Sequence, residues 1–257
     1  MTAGFFSFTE VTDPAAHHSY NEWHQLDHMP EQFPLDGIVF GQRWVWPPAR
    51  RTSAQGGPGV RNAGDAVAVA PFDRVHYVTL YLMREPLDTT LTEFLDLGKQ
   101  LGRVGRFHRD RHAHLSGPFE LIDTRAAARV QISAEAVPYR PHGGVHVIVE
   151  SLVGDDHACA GYDTWWRDEH APALCGLDGV AGVWQFETSS RFDAHIWRPG
   201  PRRVTVAWID GDLDHTSSAL ALLDGTRESR SQGIASADMI ATLETITPWQ
   251  WDWFDRA

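Results

Sequence analysis

The strongest constraint on what this chain can fold into is that it repeats itself. Residues 20–37 read YNEWHQLDHMPEQFPLDG, and residues 162–179 read YDTWWRDEHAPALCGLDG. At a constant offset of 142, Tyr20 aligns with Tyr162, Trp23 with Trp165, His28 with His170 and Pro30 with Pro172. Leu35, Asp36 and Gly37 align with Leu177, Asp178 and Gly179, and Asp27 lies opposite Glu169. Shared tyrosine, tryptophan, histidine and proline in so short a window mark a duplication, which says nothing yet about chemistry.

Both copies carry the same order of elements. A strand-like run precedes each motif, Phe5 to Thr9 in the first copy and Val145 to Glu150 in the second. Asp13 and Asp155 stand where a helix can start. Tyr20, Trp23 and Leu26, and Tyr162 with Trp165 or Trp166, give that helix an apolar face. Pro30 and Pro172 are expected to end it just beyond the histidine. Gly37 and Gly179 permit the turn into a second strand, Ile38 to Trp46 and Val180 to Phe186. A third strand (His76 to Leu82, Val204 to Ile209), a second helix (Leu91 to Arg103, His215 to Leu223) and a fourth strand (Phe119 to Ile122, Ile240 to Ile246) complete each copy. The order βαββαβ, twice, is the ferredoxin-like unit. One such unit leaves a bare apolar sheet face, and two in one chain can cover each other. The expected fold is therefore α+β, two ferredoxin-like halves, residues 1–140 and 141–257, forming one intramolecular eight-stranded α/β barrel.

The Y-x-x-W-x-x-x-x-H-x-P pattern followed by a glycine and a strand resembles the EthD-like branch of the dimeric α/β-barrel superfamily, here as a tandem fusion. The motif covers about eighteen residues in each half, while the likeness in fold covers nearly the whole chain. The resemblance implies an enzyme fold shared by muconolactone isomerases, polyketide cyclases, cofactor-free quinone-forming monooxygenases and haem enzymes such as aldoxime dehydratases. A fold with so many chemistries does not choose among them. It also implies that the motif histidines, His28 and His170, point toward the barrel mouth.

Composition narrows the partners. With 22 Lys plus Arg against 34 Asp plus Glu, the net charge of −12 argues against nucleic acid and against an anionic membrane surface. Two cysteines, Cys159 and Cys175, are too few for a disulfide framework or a cysteine zinc site. Met1 to Phe5 lacks the basic start of a signal peptide, and no apolar run nears the ~20 residues of a membrane span. The expectation is a cytoplasmic protein with a small-molecule substrate, a monomeric pseudo-dimer or a higher homo-oligomer. Lys99 is the sole lysine, so Schiff-base chemistry rests on it alone. The sequence holds no G-x-G-x-x-G, P-loop, G-x-S-x-G or H-E-x-x-H.

Candidate catalytic residues are His170, His28, Glu150 and His146. A histidine at a helix C-terminus is expected to favour its charged form. Val145, Val147 and Val149 share one strand face, expected to pack under the helices. His146, Ile148 and Glu150 would then line the barrel, a carboxylate and an imidazole two steps apart for acid–base work. The same offset places Phe6 and Phe8 opposite Ile148 and Glu150, as an aromatic wall for a flat ligand. Tyr77 and Tyr81 form another candidate lining face, and Arg43 is a candidate partner for a substrate carboxylate or enolate. Tyr20, Tyr162, Trp23 and Trp165 read as helix-to-sheet core. Residues 47–73, rich in Gly and Pro, read as a lid or a surface excursion. RFHRDRHAH at 106–114 reads as a solvated helix end, not a metal site. The Trp-rich stretch 249–254 reads as an edge strand or a sealing tail.

These residues lead to a cofactor-independent lyase or isomerase acting on a small aromatic or lactone-like metabolite by acid–base catalysis. Neither a cofactor nor a metal is called for by the sequence. The alternatives are a haem-dependent dehydratase-like enzyme, a cofactor-free monooxygenase of the same superfamily, or a non-catalytic binder of hydrophobic metabolites.

Overall fold

A computed structural model describes residues 1–51, 67–189, 200–247 and 249–255. The first half runs β1 (Ala3–Val11), α1 (His17–Trp23), a π-helical turn (His24–His28), β2 (Ile38–Val45), α2 (Pro48–Arg51), β3 (Val67–Ala68), β4 (Tyr77–Met83), α3 (Leu87–Arg103) and β5 (Arg111–Ala126). The second runs β6 (Gly144–Leu152), α4 (Asp156–Trp165), a second π-helical turn (Trp166–His170), α5 (Ala171–Cys175), β7 (Val180–Glu187), β8 (Arg202–Ile209), α6 (Leu213–Ser231) and β9 (Ala235–Thr245). Asp13 accepts from the Ala15 amide and Asp155 from the Ala158 amide, so both carboxylates cap the helical entry as their positions predict.

The strands follow in the order β2-β4-β1-β5-β7-β8-β6-β9, and β9 pairs back onto β2 to close a ring of eight; β3 adds to β9 outside the ring. The long last strand of each half makes the closure. β5 pairs β1 with its first part and β7 with its second, and β9 pairs β6 and then, at Trp44↔Thr245, β2. No helix among the described residues is long and apolar enough to cross a membrane.

The barrel interior is solid. Val145, Val147 and Val149 meet Phe6, Phe8, Trp44, Leu80, Trp184, Phe186 and Trp208 in one cluster, with none of these side chains exposed. Phe6 meets Phe119 and Phe186 edge-on, at centroid distances of 5.6 and 5.0 Å. A ring of eight strands is just wide enough for its inward side chains to fill it. This reverses the facing expected from the sequence. The valine face points into the barrel, and His146, Ile148 and Glu150 point toward the helices. Alternation divides a strand into two faces but does not say which is inner when both are buried.

Phe6 and Phe8 therefore belong to the barrel core and stand on the opposite face from Ile148 and Glu150. The ladders give the reason. Thr9 pairs with Tyr77 as Glu150 pairs with Arg203, and Ser7 pairs with Thr79 as Ile148 pairs with Thr205. On their first strands, β1 and β6, the two halves align at an offset of 141, one residue from the helix offset, and one residue inverts a strand face.

Other expectations shift for local reasons. Pro172 does not end the helix but stands in the first turn of α5, directly after the π-turn, where the change from π to α spacing takes up the missing N–H. Residues 111–114 are the start of β5, not a helix end, and His114 Nε2 pairs with Glu10 at 2.7 Å. Residues 249–255 form no strand; Trp251 and Phe254 pack on the first half beside Val45 and Tyr77. The lid reading of 47–73 falls largely outside the described residues.

Gly179 has φ +91°, so it needs glycine's freedom; Gly37 is fixed by contact instead. A Cβ on Gly37 would lie 2.5 Å from the Cβ of Thr90 on α3. Gly37→Ala is expected to lower stability by about 1–3 kcal/mol, read from urea denaturation. An unchanged midpoint would show that α3 can move aside freely.

Candidate functional site

Between each half's sheet and its helices lies a buried polar layer, and the repeated motif builds both. Trp23 and His28, like Trp165 and His170, are five residues apart. An α-helix brings residues three and four apart together, whereas a π-turn closes i to i+5. Met29 N donates to His24 O at 2.9 Å, and the Ala171 amide donates to Trp166 O. The indole and imidazole consequently stack, 4.6 Å apart for Trp23–His28 and 4.7 Å for Trp165–His170. The duplicated spacing was the signal for this turn, although α-helical periodicity alone does not predict it.

In the second half, Glu150 and Arg227 form an ion pair in which both side chains are 1% exposed. Arg227 Nη1 donates to Glu150 Oε1 at 2.5 Å, and Tyr162 donates its hydroxyl to the same oxygen at 3.1 Å. The lone pairs of Glu150 are thus committed, and it is not a free base facing a barrel cavity. Beside this pair, His146 Nδ1 meets Thr242 Oγ1 at 3.0 Å, and its Nε2 lies 3.2 Å from Asp224 Oδ2. Burial pushes the Asp224 carboxyl up, but His146 and Arg227 outweigh it and hold the group below its ordinary value.

His170 is buried, and its Nε2 has no hydrogen-bond partner. Burial lowers its pKa to about 4, with Asp224 opposing and Arg227 and His146 adding to the drop. His28 falls to about 4 as well, through burial and the charges of Arg111 and Arg43. The helix-terminus expectation of charged imidazoles is overturned: loss of water costs an imidazolium more than the terminal carbonyls return. Both are neutral donors or acceptors near pH 7.

The first half has a different charge pattern. Arg43 on β2 is 1% exposed. Its Nη2 donates to Asn21 Oδ1 at 2.9 Å, while Nε and Nη1 have no partner. Tyr77 shares its hydroxyl with Asn21 at 2.8 Å and with His17 Nδ1 at 2.9 Å. The hydroxyl of Tyr81 and Nδ1 of His24 are buried without partners. The structure thus gathers Arg43, Tyr77 and Tyr81 in one layer, with His28 at its half-buried rim, and gathers His170, His146 and Glu150 in the other. Sequence reading missed Asn21 and His24 in the first layer and Asp224 and Arg227 in the second. Asp224 and Arg227 lie three apart on α6, and the expected helix stopped just short of them, at Leu223.

A cavity of about 470 Å³ opens beside the second layer, where α6 passes β9 and β3. Arg227, Ser231, Ala235 and Ile240 line it, together with Val67 and Val69. Glu228, Ser229, Gln232 and Ser236 complete its wall, so it is a half-open and largely polar hollow.

No sequence family matches the chain, and no curated protein does. Solved structures do share its fold. A heme complex of a DypB variant from Rhodococcus jostii RHA1 superposes with a TM-score of 0.55 at 12% identity, over 95% of this chain and 93% of that one. A candidate chlorite dismutase gives 0.53 at 10% identity over 99% and 98%. An anthrone oxidase-like protein gives 0.50 at 9% identity over 96% and 92%. The expectation of a chain working without a cofactor is overturned by these neighbours, since DypB carries heme on this same architecture. What the likeness establishes is the dimeric α+β barrel fold, here with both halves of the barrel in one polypeptide.

Proposed function

We propose that this chain is an oxidoreductase whose redox group is a haem held in the second half, with His170 as the iron's protein ligand. The observation that carries the reading is the Nε2 of His170, buried, neutral and without a partner. A metal needs a deprotonated imidazole nitrogen, and burial supplies one across the physiological range. An unpartnered neutral imidazole nitrogen is the kind of donor that haem iron takes. Trp165 and Trp166, with centroids 4.7 and 5.0 Å from the imidazole, hold its ring in place. A bound haem would supply activation of oxygen or peroxide.

The chain's own residues supply the rest. Asp224 lies 3.2 Å from His146 Nε2, which puts a carboxylate and a second imidazole in the same layer as the ligand histidine. Arg227, fixed on Glu150, forms part of the wall of the 470 Å³ cavity and holds α6 against β6 there. The oxidative enzymes among the fold neighbours support this class over a lyase or isomerase. The EthD-like branch suggested by the motif stays a proposal as well.

Haem titration followed from 350 to 700 nm tests the reading. The expected result is a Soret band saturating at about one haem per chain, lost in His170→Ala and kept in His28→Ala. No band in the unaltered protein would remove the haem reading, and an unchanged band in His170→Ala would remove His170 from it.

A further inference from the structure

The first half contains a buried guanidinium that nothing neutralises. Among the described residues no carboxylate lies within ion-pair distance of Arg43. The groups around it are Tyr20 and Tyr77, with ring centroids 5.4 and 5.6 Å from the guanidinium carbon, Asn21, and the histidines His24 and His28. Burial and Arg43 itself hold both histidines neutral, and neither can accept its charge. An isolated buried ion costs several kcal/mol, so chains usually retain one only where a counter-ion reaches it.

The second half shows what a satisfied version looks like. The ladders place Gln185 opposite Thr205 as they place Arg43 opposite Thr79. There the sheet floor is neutral at the arginine's position, and the layer's own guanidinium, Arg227, faces Glu150. The residue standing in the place of Glu150 in the first half is Thr9. Duplication has therefore left the guanidinium of one layer answered by a carboxylate and that of the other with none among the described residues.

We propose that the first-half layer around Arg43 is a binding site for a small aromatic anion, a ring bearing a carboxylate or a phenolate. Nε and Nη1 of Arg43 carry N–H groups free to meet oxygens, and the Tyr81 hydroxyl and His24 Nδ1 add unpartnered polar atoms in the same layer. Tyr20, Tyr77 and Tyr81 supply ring faces and edges for the apolar part of the ligand. The site is closed as it stands, and the C-terminal segment covers it: Phe254 stacks on His17 at 3.8 Å and lies 5.9 Å from Tyr77. Among the described residues of this segment the backbone bonds are internal, Gln250 to Thr247 and Asp255 to Asp252, and Trp251 anchors it beside Val45 and Ile246. This site is separate from the His170 layer and stands whether or not haem binds there.

Calorimetric titration of the full chain with benzoate, salicylate and the uncharged isostere benzamide tests the proposal. The expected result is that an aromatic anion binds about thirtyfold or more tighter than benzamide, and that Arg43→Gln, which copies the second half, removes the difference. Arg43→Gln is also expected to raise the melting temperature of the ligand-free protein, because it removes an unpaired charge. Equal binding of anions and benzamide to the unaltered protein overturns the proposal, as does undiminished anion binding by Arg43→Gln. If that variant does not fold, the comparison of anion with benzamide in the unaltered protein decides alone.

Discussion

Glu150→Ala is expected to cost about 3–5 kcal/mol of folding stability, as removal of one partner of a buried ion pair does. Three effects add. Arg227, 1% exposed, loses its counter-ion without gaining water. Tyr162 loses the acceptor of its hydroxyl, and a void opens between β6 and α6. Glu150→Gln keeps an acceptor for Tyr162 and should cost less. Replacing both partners by apolar residues, Glu150→Leu with Arg227→Met, should recover much of the loss, since neither member of the pair is then left buried without the other. Urea denaturation of the four proteins measures the series. A loss below about 1 kcal/mol in Glu150→Ala would mean that water reaches Arg227 and that the pair is not sealed.

The second large effect is on acid stability. His17 and His170 are buried with folded pKa values of about 4, against about 6.5 for a free imidazole. Burial is the first cause in both. Between these values the unfolded chain binds protons that the folded chain refuses. Linkage then makes stability rise with pH through this window. The contribution is intact above pH ~6.5 and is lost as pH falls toward 4. At about 1.4 kcal/mol per pH unit, the shift of His170 corresponds to at most roughly 3 kcal/mol, and that of His17, nearer to solvent, to less. His76, lowered to about 3 by burial and Arg51, and His28 act in the same direction, less strongly because they are partly open to water. The urea midpoint should fall steeply between pH 6.5 and 4.5. His17→Gln and His170→Gln should each flatten the slope; a midpoint flat across that range would mean these imidazoles already reach water in the folded protein.

Much of the fold was legible because it depends on repetition and alternation. The duplicated Tyr, Trp, His and Pro announced two like units, the run of apolar strands announced a sheet with both faces buried, and Asp13 and Asp155 marked where helices begin. The site was legible only as a set of residue types. His28, His170, Arg43, Tyr77 and Tyr81 were picked out, but which of them meet was not. Phe6 and Phe8 were expected on the inner face of the barrel and do lie there, but that interior is packed solid, so they meet core side chains and not a ligand. Asp224 and Arg227 were passed over because nothing in α6 alone shows that its polar residues face inward.

By itself the sequence determined two βαββαβ units, their order along the chain, and the five-residue tryptophan–histidine spacing that a π-turn satisfies. These are local or periodic properties, set by backbone geometry and apolar pattern. The tertiary structure alone decided which strand face became the dry core. It also decided that β5 and β9 close the ring and that Arg227 reaches Glu150 while Arg43 reaches no carboxylate among the described residues. Those outcomes depend on contacts between residues far apart in the chain. Whether a buried charge is answered depends on what packing brings across from another element, and no window of sequence contains both partners.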